Sequence, residues 1–218
     1  MRTLKKIIKV IMNFIFFLPR QAYYSKKKKT IKNQAPTIIS SDCFAGIAYH
    51  NLGLKFRSPT INLFFKKDDF LTFAHNIKGF LTSDIKEVKE ETRKHPIGEL
   101  EYDGKKITAY FLHYKTFDEA VSKWNERKKR IDFSNIYLVL TVSKNLTEDD
   151  VASFSALPYK NKMLITGDTD FNESFIVKHK IFNKQNYKNG EFLRFKGPFY
   201  YKRHMDEVDY VTFLNNPQ

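Results

Sequence analysis

The sequence predicts an α/β fold: a layered mixed or mostly parallel sheet with helices on both faces, plus an N-terminal amphipathic helix. Three observations carry this. Short apolar runs of strand length alternate with stretches of helical spacing. One hairpin signal, Tyr102-Asp103-Gly104-Lys105, interrupts the alternation. The basic residues crowd at the start of the chain, leaving a nearly balanced body.

Thr37-Ile38-Ile39-Ser40 reads as a buried strand, followed by a helix that ends at Gly53. Thr60–Phe65 is expected as a second strand, and Asp68–Leu81 as one helix with Phe70, Phe73, Ile77 and Phe80 inward. The charged stretch 84–96 ends at Pro96, and Gly98 to Tyr114 follows as a hairpin turning at Asp103-Gly104. Thr116-Phe117-Asp118-Glu119 has capping-box spacing and opens a helix that buries Trp124. Ile136–Val142 is strand-like, Thr147 caps a helix to about Ala156, and Lys162–Thr166 is a further strand. Met205–Leu214 has helical spacing. The chain of 218 residues holds 42% apolar residues, 21 of them Phe, enough for one well-packed domain over 37–218. One cysteine, Cys43, excludes an internal disulfide and a cysteine zinc cluster.

Residues 1–32 carry ten of the 38 basic residues and none of the 24 acids. The remainder therefore has a net charge of only +4, against +14 for the whole. A nucleic-acid-binding domain usually carries its basic surface on the folded body, so no nucleic-acid partner is expected. The apolar run Ile7–Leu18 is 12 residues long and contains Lys9, whereas a spanning helix needs roughly 17–25 apolar residues. No small-residue cleavage site follows it. Leu4, Ile7, Ile8, Ile11, Phe14, Ile15 and Leu18 recur at helical spacing, flanked by lysines. Residues 1–33 are accordingly read as a basic amphipathic membrane-surface segment and linker, with 21–36 as polar linker. An anionic membrane surface is the expected partner, and removal of 1–33 is expected to leave a folded domain.

Ligands in open α/β sheets bind at the carboxyl ends of the strands. Ser40-Ser41-Asp42-Cys43 follows the first strand, with His50 further along the helix, and offers a carboxylate and helix-start amides for an anionic group. His113 and Lys115 end the hairpin, ahead of the helix carrying Arg127. Asp42, His50 and His113 are therefore candidate catalytic residues, and Ser41, Lys115 and Arg127 candidate substrate-binding ones. Their loops are expected to converge on one cleft with Arg127 at its rim. Asp168 and Asp170, in Gly167-Asp168-Thr169-Asp170, have the spacing with which many transferases hold Mg²⁺ or Mn²⁺ on the diphosphate of a nucleotide sugar. Walker, Gly-x-Ser-x-Gly and His-Glu-x-x-His motifs are absent from the sequence, so the ATPase, hydrolase and zincin classes lack support.

Ile38 to Gly46, Tyr49-His50-Asn51-Leu52-Gly53-Leu54 and Ser58-Pro59-Thr60-Ile61 resemble the bacterial domain of unknown function 1919. So do Pro96-Ile97-Gly98, Phe111-Leu112-His113-Tyr114, Trp124 to Arg130 and Leu157 to Lys162. The resemblance covers about residues 37–215 and adds Ser58 to the candidate substrate-binding set. It departs at Asp42 and Phe44, where Asn and Trp are expected. The resemblance implies an α/β layered fold and a role in exopolysaccharide or capsule biosynthesis. The expectation is a cytoplasmic protein, peripheral on the inner face of the plasma membrane. The favoured activity is a glycosyltransferase acting on a lipid-linked saccharide. An acyl- or phosphoryl-group transferase is one alternative, and a non-catalytic assembly factor binding polysaccharide enzymes the other.

Overall fold

Alternation of the apolar side chains decides the layers. Along β1 (Thr37–Ser40), β6 (Ile136–Thr141) and β7 (Lys162–Thr166), successive residues enter two different cores. Ile38, Tyr137, Val139, Met163 and Ile165 face one, and Ile39, Leu138, Leu140 and Leu164 the other. A sheet apolar on both faces must be covered on both. The computed structural model describes residues 8, 10–12, 14–90, 93–197 and 200–216. Among these, β1, β6, β7 and β8 (Ile176–Lys178) form an all-parallel sheet in that order.

α2 (Phe44–Leu52) covers the first face, together with the C-terminal segment and its last helix, α7 (Tyr210–Asn215). Gly53 stops α2 in the left-handed conformation, φ +69°, as the sequence predicts. The second face receives α3 (Lys67–His75), α4 (Ile77–Thr82), α5 (Phe117–Lys128) and α6 (Glu148–Ser155), with Trp124 buried among them. The helix expected over 68–81 is broken at Asn76, whose φ of −144° leaves the helical region and whose side chain caps α4 through Gly79 N.

The hairpin does not join the parallel sheet. β2 (Phe64–Phe65), β5 (Lys105–Tyr110), β4 (Ile97–Tyr102) and β3 (Lys86–Glu87) form a separate antiparallel sheet, packed outside α3. Asp103 and Gly104 both have positive φ, 51° and 69°, and the register pairs Tyr102 with Lys105, a two-residue hairpin turn. The strand expected over 60–65 keeps only its last two residues. Ser58 and Thr60 instead hydrogen-bond each other (Oγ to Oγ1, 2.9 Å), holding that segment as a buried loop.

Residues 21–30, expected as linker, are helical. α1 (Phe17–Thr30) docks on the C-terminal segment. Tyr24 Oη donates to Asp206 Oδ2 (2.7 Å) and Lys27 Nζ to Asp206 Oδ1 (2.9 Å). Arg20 donates to the Tyr200 carbonyl and lies over the Phe195 ring. α1 also lies beside α2, with Lys28 against Gly53 and Thr30 bonded to Asn215. Tyr210, which shares Asp206 with Tyr24, packs on Phe44 at the other end of α2. α1 and α2 therefore run in the same direction, and the amino-terminal end of α1 lies on the carboxyl side of the parallel sheet. The expected apolar helix of the first 18 residues falls partly on residues outside the description. Ile8, Val10–Met12 and Phe14–Ile15 are helical, and the ladder continues into α1 through Phe16 N to Met12 O.

Candidate functional site

β1 ends at Ser40, and its chain crosses the carboxyl edge of the sheet before α2 begins. That crossing is held tightly. Ser40 Oγ donates to the Asp42 carbonyl (2.6 Å) and accepts from Ala45 N (3.1 Å), and Ser41 Oγ accepts from Thr141 N (3.1 Å). Asp42 Oδ1 accepts from Phe44 N (2.9 Å). Two amides of the first turn of α2 are thus already engaged, so this helix start offers an anion less than its sequence suggests.

The Asp42 residue is part-exposed, but its carboxyl group is enclosed by protein. Burial pushes its pKa up to about 6, and the Phe44 amide and the nearby Thr141 hydroxyl offset only part of that. Thr141 Oγ1 is itself buried without a well-aligned hydrogen-bond partner. Tyr187, on the segment after β8, is near enough to feel the Asp42 charge. Burial raises its phenol to about 12, with the Asp42 charge contributing. Burial, then Asp42, pushes the Cys43 thiol up to about 12, so it stays protonated and is no nucleophile at neutral pH.

Asn62 joins this crossing to the hairpin. Phe65 N donates to Ser41 O (2.8 Å), and His113 N donates to Asn62 O (3.3 Å). Asn62 has φ +65°, a left-handed conformation Asn tolerates better than most residues. The loops carrying Asp42 and His113 thus pack against one short segment, 62–65, with His113 exposed beside it.

His50 is not brought in. It lies at the far end of α2, about 12 Å along the helix axis from Asp42, and is exposed. Ser58 is fully buried in its hydrogen bond with Thr60, unavailable to a substrate. Arg127 is not at a rim: it is 8% exposed, donates to Tyr114 Oη and lies over the Phe56 ring. It pins Tyr114, which in turn donates to Ile61 O. Lys115 is exposed, its amide held by Glu119. The Asp168 carboxylate accepts from Asn183 Nδ2 (2.6 Å), while the Asp170 carbonyl is held by Asn172. Among the described residues, no three His, Cys, Asp or Glu side chains are grouped to share a metal ion. Thr141, Tyr187 and Asn62 were invisible as site residues in the sequence. The one usable signal is that Thr141 lies near the end of the strand-like run Ile136–Val142, and the carboxyl end of a central strand is where such a site forms.

The fold and site define an α/β protein with a parallel and an antiparallel sheet, whose candidate centre lies at the carboxyl edge of the parallel one. The chain belongs to the family described as "Domain of unknown function (DUF1919)", which matches residues 15–215. That span takes in all of α1. A Haemophilus influenzae protein named "Uncharacterized protein" is 31% identical over 201 residues, covering 90% of this chain and 93% of that one.

Proposed function

We propose that this protein is a membrane-surface transferase of exo- or capsular polysaccharide assembly, a glycosyltransferase acting on a lipid-linked saccharide at the inner face of the plasma membrane. The observation that carries the chemistry is Asp42, a carboxyl group with a pKa near 6 at the carboxyl edge of a parallel sheet. Such a group accepts a proton from an acceptor hydroxyl near neutral pH, a step typically worth about 10²–10⁴-fold in rate. Asn at this position would keep the hydrogen bond to Phe44 N and lose the base, so the carboxylate's distinctive contribution is the proton. His113, exposed and held at its amide by Asn62 O, is the second candidate proton-transfer group. The polysaccharide setting is supported by the family resemblance, and the membrane setting by the exposed apolar residues Phe14 and Leu18 beside an acid-free basic segment.

A thermal-shift screen against nucleotide sugars, acyl-CoA and phosphoryl donors, each with and without Mn²⁺, tests this. A nucleotide sugar stabilising both wild type and Asp42→Asn supports the reading. Stabilisation by acyl-CoA or a phosphoryl donor alone makes it a different transferase, and by none makes it an assembly factor.

A further inference from the structure

α1 has two opposed faces. Arg20, Tyr24 and Lys27 grip the domain. Nine residues, two and a half turns, separate Ile15 from Tyr24 and Leu18 from Lys27, so the members of each pair point in opposite directions. On the outward face Ile8, Ile11, Ile15 and Leu18 lead into Ala22, Lys26 and Lys29, all exposed. Phe14, at that face's edge, is 84% exposed and Leu18 75%. The stripe is therefore apolar over its first turns and basic over its last, follows the helical ladder across the turn at Phe16, and is turned away from the protein. No acid precedes Asp42 in the chain.

We propose that α1 and the helical turns before it lie flat on an anionic bilayer along this whole outward face. Ile8, Ile11, Ile15 and Leu18 enter the acyl boundary, and Lys26 and Lys29 meet the lipid phosphates. The proposal rests on the membrane reading above and adds the orientation. Charge complementarity selects anionic lipid as the occupant, because an apolar stripe continued by lysines matches an acyl region bordered by negative head groups. The grip on Asp206 turns a helix orientation into a domain orientation. The two helices run in the same direction, and the end of the Lys28 side chain reaches Gly53. Counting back nine residues on each puts Pro19 roughly level with Phe44, so Ile8, Ile11, Ile15 and Leu18 project up to roughly 15 Å past the Asp42 edge at 1.5 Å per residue. The strands then run along the membrane plane, and the Asp42 edge opens over the strip of bilayer that holds the inserted turns. A head group rising from that strip is the substrate such a site meets.

The test uses the full chain with Cys43→Ser and, in addition, Ile11→Cys, Ala22→Cys or Lys105→Cys, each labelled with an environment-sensitive fluorophore; the Cys43→Ser protein, which removes the half-buried native thiol, is the blank. Vesicles rich in phosphatidylglycerol are added. Several-fold brightening at both 11 and 22, with 105 unchanged, is the expected result. Brightening at 11 alone means an anchor that enters end-on, and overturns the flat orientation while leaving the membrane reading standing. Brightening at neither overturns both. Lys26→Glu and Lys29→Glu should each weaken vesicle binding at least fivefold, the equivalent of ~1 kcal/mol per lysine; unchanged binding in both would place the lysines off the bilayer and overturn the flat orientation.

Discussion

Tyr24 and Asp206, 182 positions apart, meet in a 2.7 Å hydrogen bond that fastens the first helix to the last part of the chain. Asp206 also receives Lys27 Nζ, Tyr210 Oη and Arg203 N, and its side chain is fully buried. Removing one partner leaves a satisfied hub; removing the hub strands four donors. Tyr24→Phe is expected to cost about 1–2 kcal/mol and Asp206→Ala about 3–5 kcal/mol in urea unfolding. Equal, small effects would show that the hub does not hold α1.

The same contacts alter where the chain can be cut. Deletion of residues 1–33 removes Tyr24 and Ile31, both buried, and exposes the core they cover. That truncation should aggregate or melt well below the full chain, whereas deletion of residues 1–15 should melt close to it. Circular dichroism melts of the two proteins decide.

Asp42 should lower stability at neutral pH. Its folded pKa, about 6, lies above the ordinary carboxylate value of 3.8. As pH rises from 4 to 6 the unfolded chain releases this proton and the folded one retains it, so its contribution to stability falls through that window and is flat above it. Asp42→Asn should therefore gain on the order of 1–3 kcal/mol at pH 7.5 and nothing at pH 4. A gain of the same size at both pH values would assign the effect to packing.

Gly98 is a glycine within β4 with no room for a side chain. A Cβ there would meet Ile85 Cγ2 at 2.4 Å and Phe111 Cε2 at 2.9 Å, and Phe111 is buried. Gly→Ala in a strand ordinarily gains about 0.5–1 kcal/mol; overpacking costs about 1–3 kcal/mol. The second effect wins here, so Gly98→Ala should lower the denaturant midpoint.

Local chemistry was legible in the sequence and distance was not. Asp103-Gly104, Thr116, Thr147 and Gly53 dictate their turn and caps through neighbouring residues, and the structure places each where its chemistry implies. α1 was missed because its stretch from Arg20 to Lys29 is polar, and the residue that makes it pack, Asp206, stands far along the chain. β8 is three residues long and paired only with β7, too short for a periodic signal. His50 was grouped with Asp42 by sequence nearness, although a nine-residue helix carries it to the opposite end. Arg127, expected at the rim of the cleft, is buried, and its partners, Tyr114 and Phe56, are neutral and leave no charge pattern in the sequence.

The proposed chemistry is sugar transfer at the Asp42 edge to a membrane-tethered acceptor. The direct measurement is transfer of labelled sugar from a nucleotide-sugar panel into the lipid phase of inner-membrane vesicles. Wild type should incorporate label, with kcat/KM rising to a plateau above about pH 6. Asp42→Asn should bind the vesicles equally and lose about 10²-fold or more in rate. Incorporation by Asp42→Asn at the wild-type rate, or none by wild type with any donor, would contradict the account.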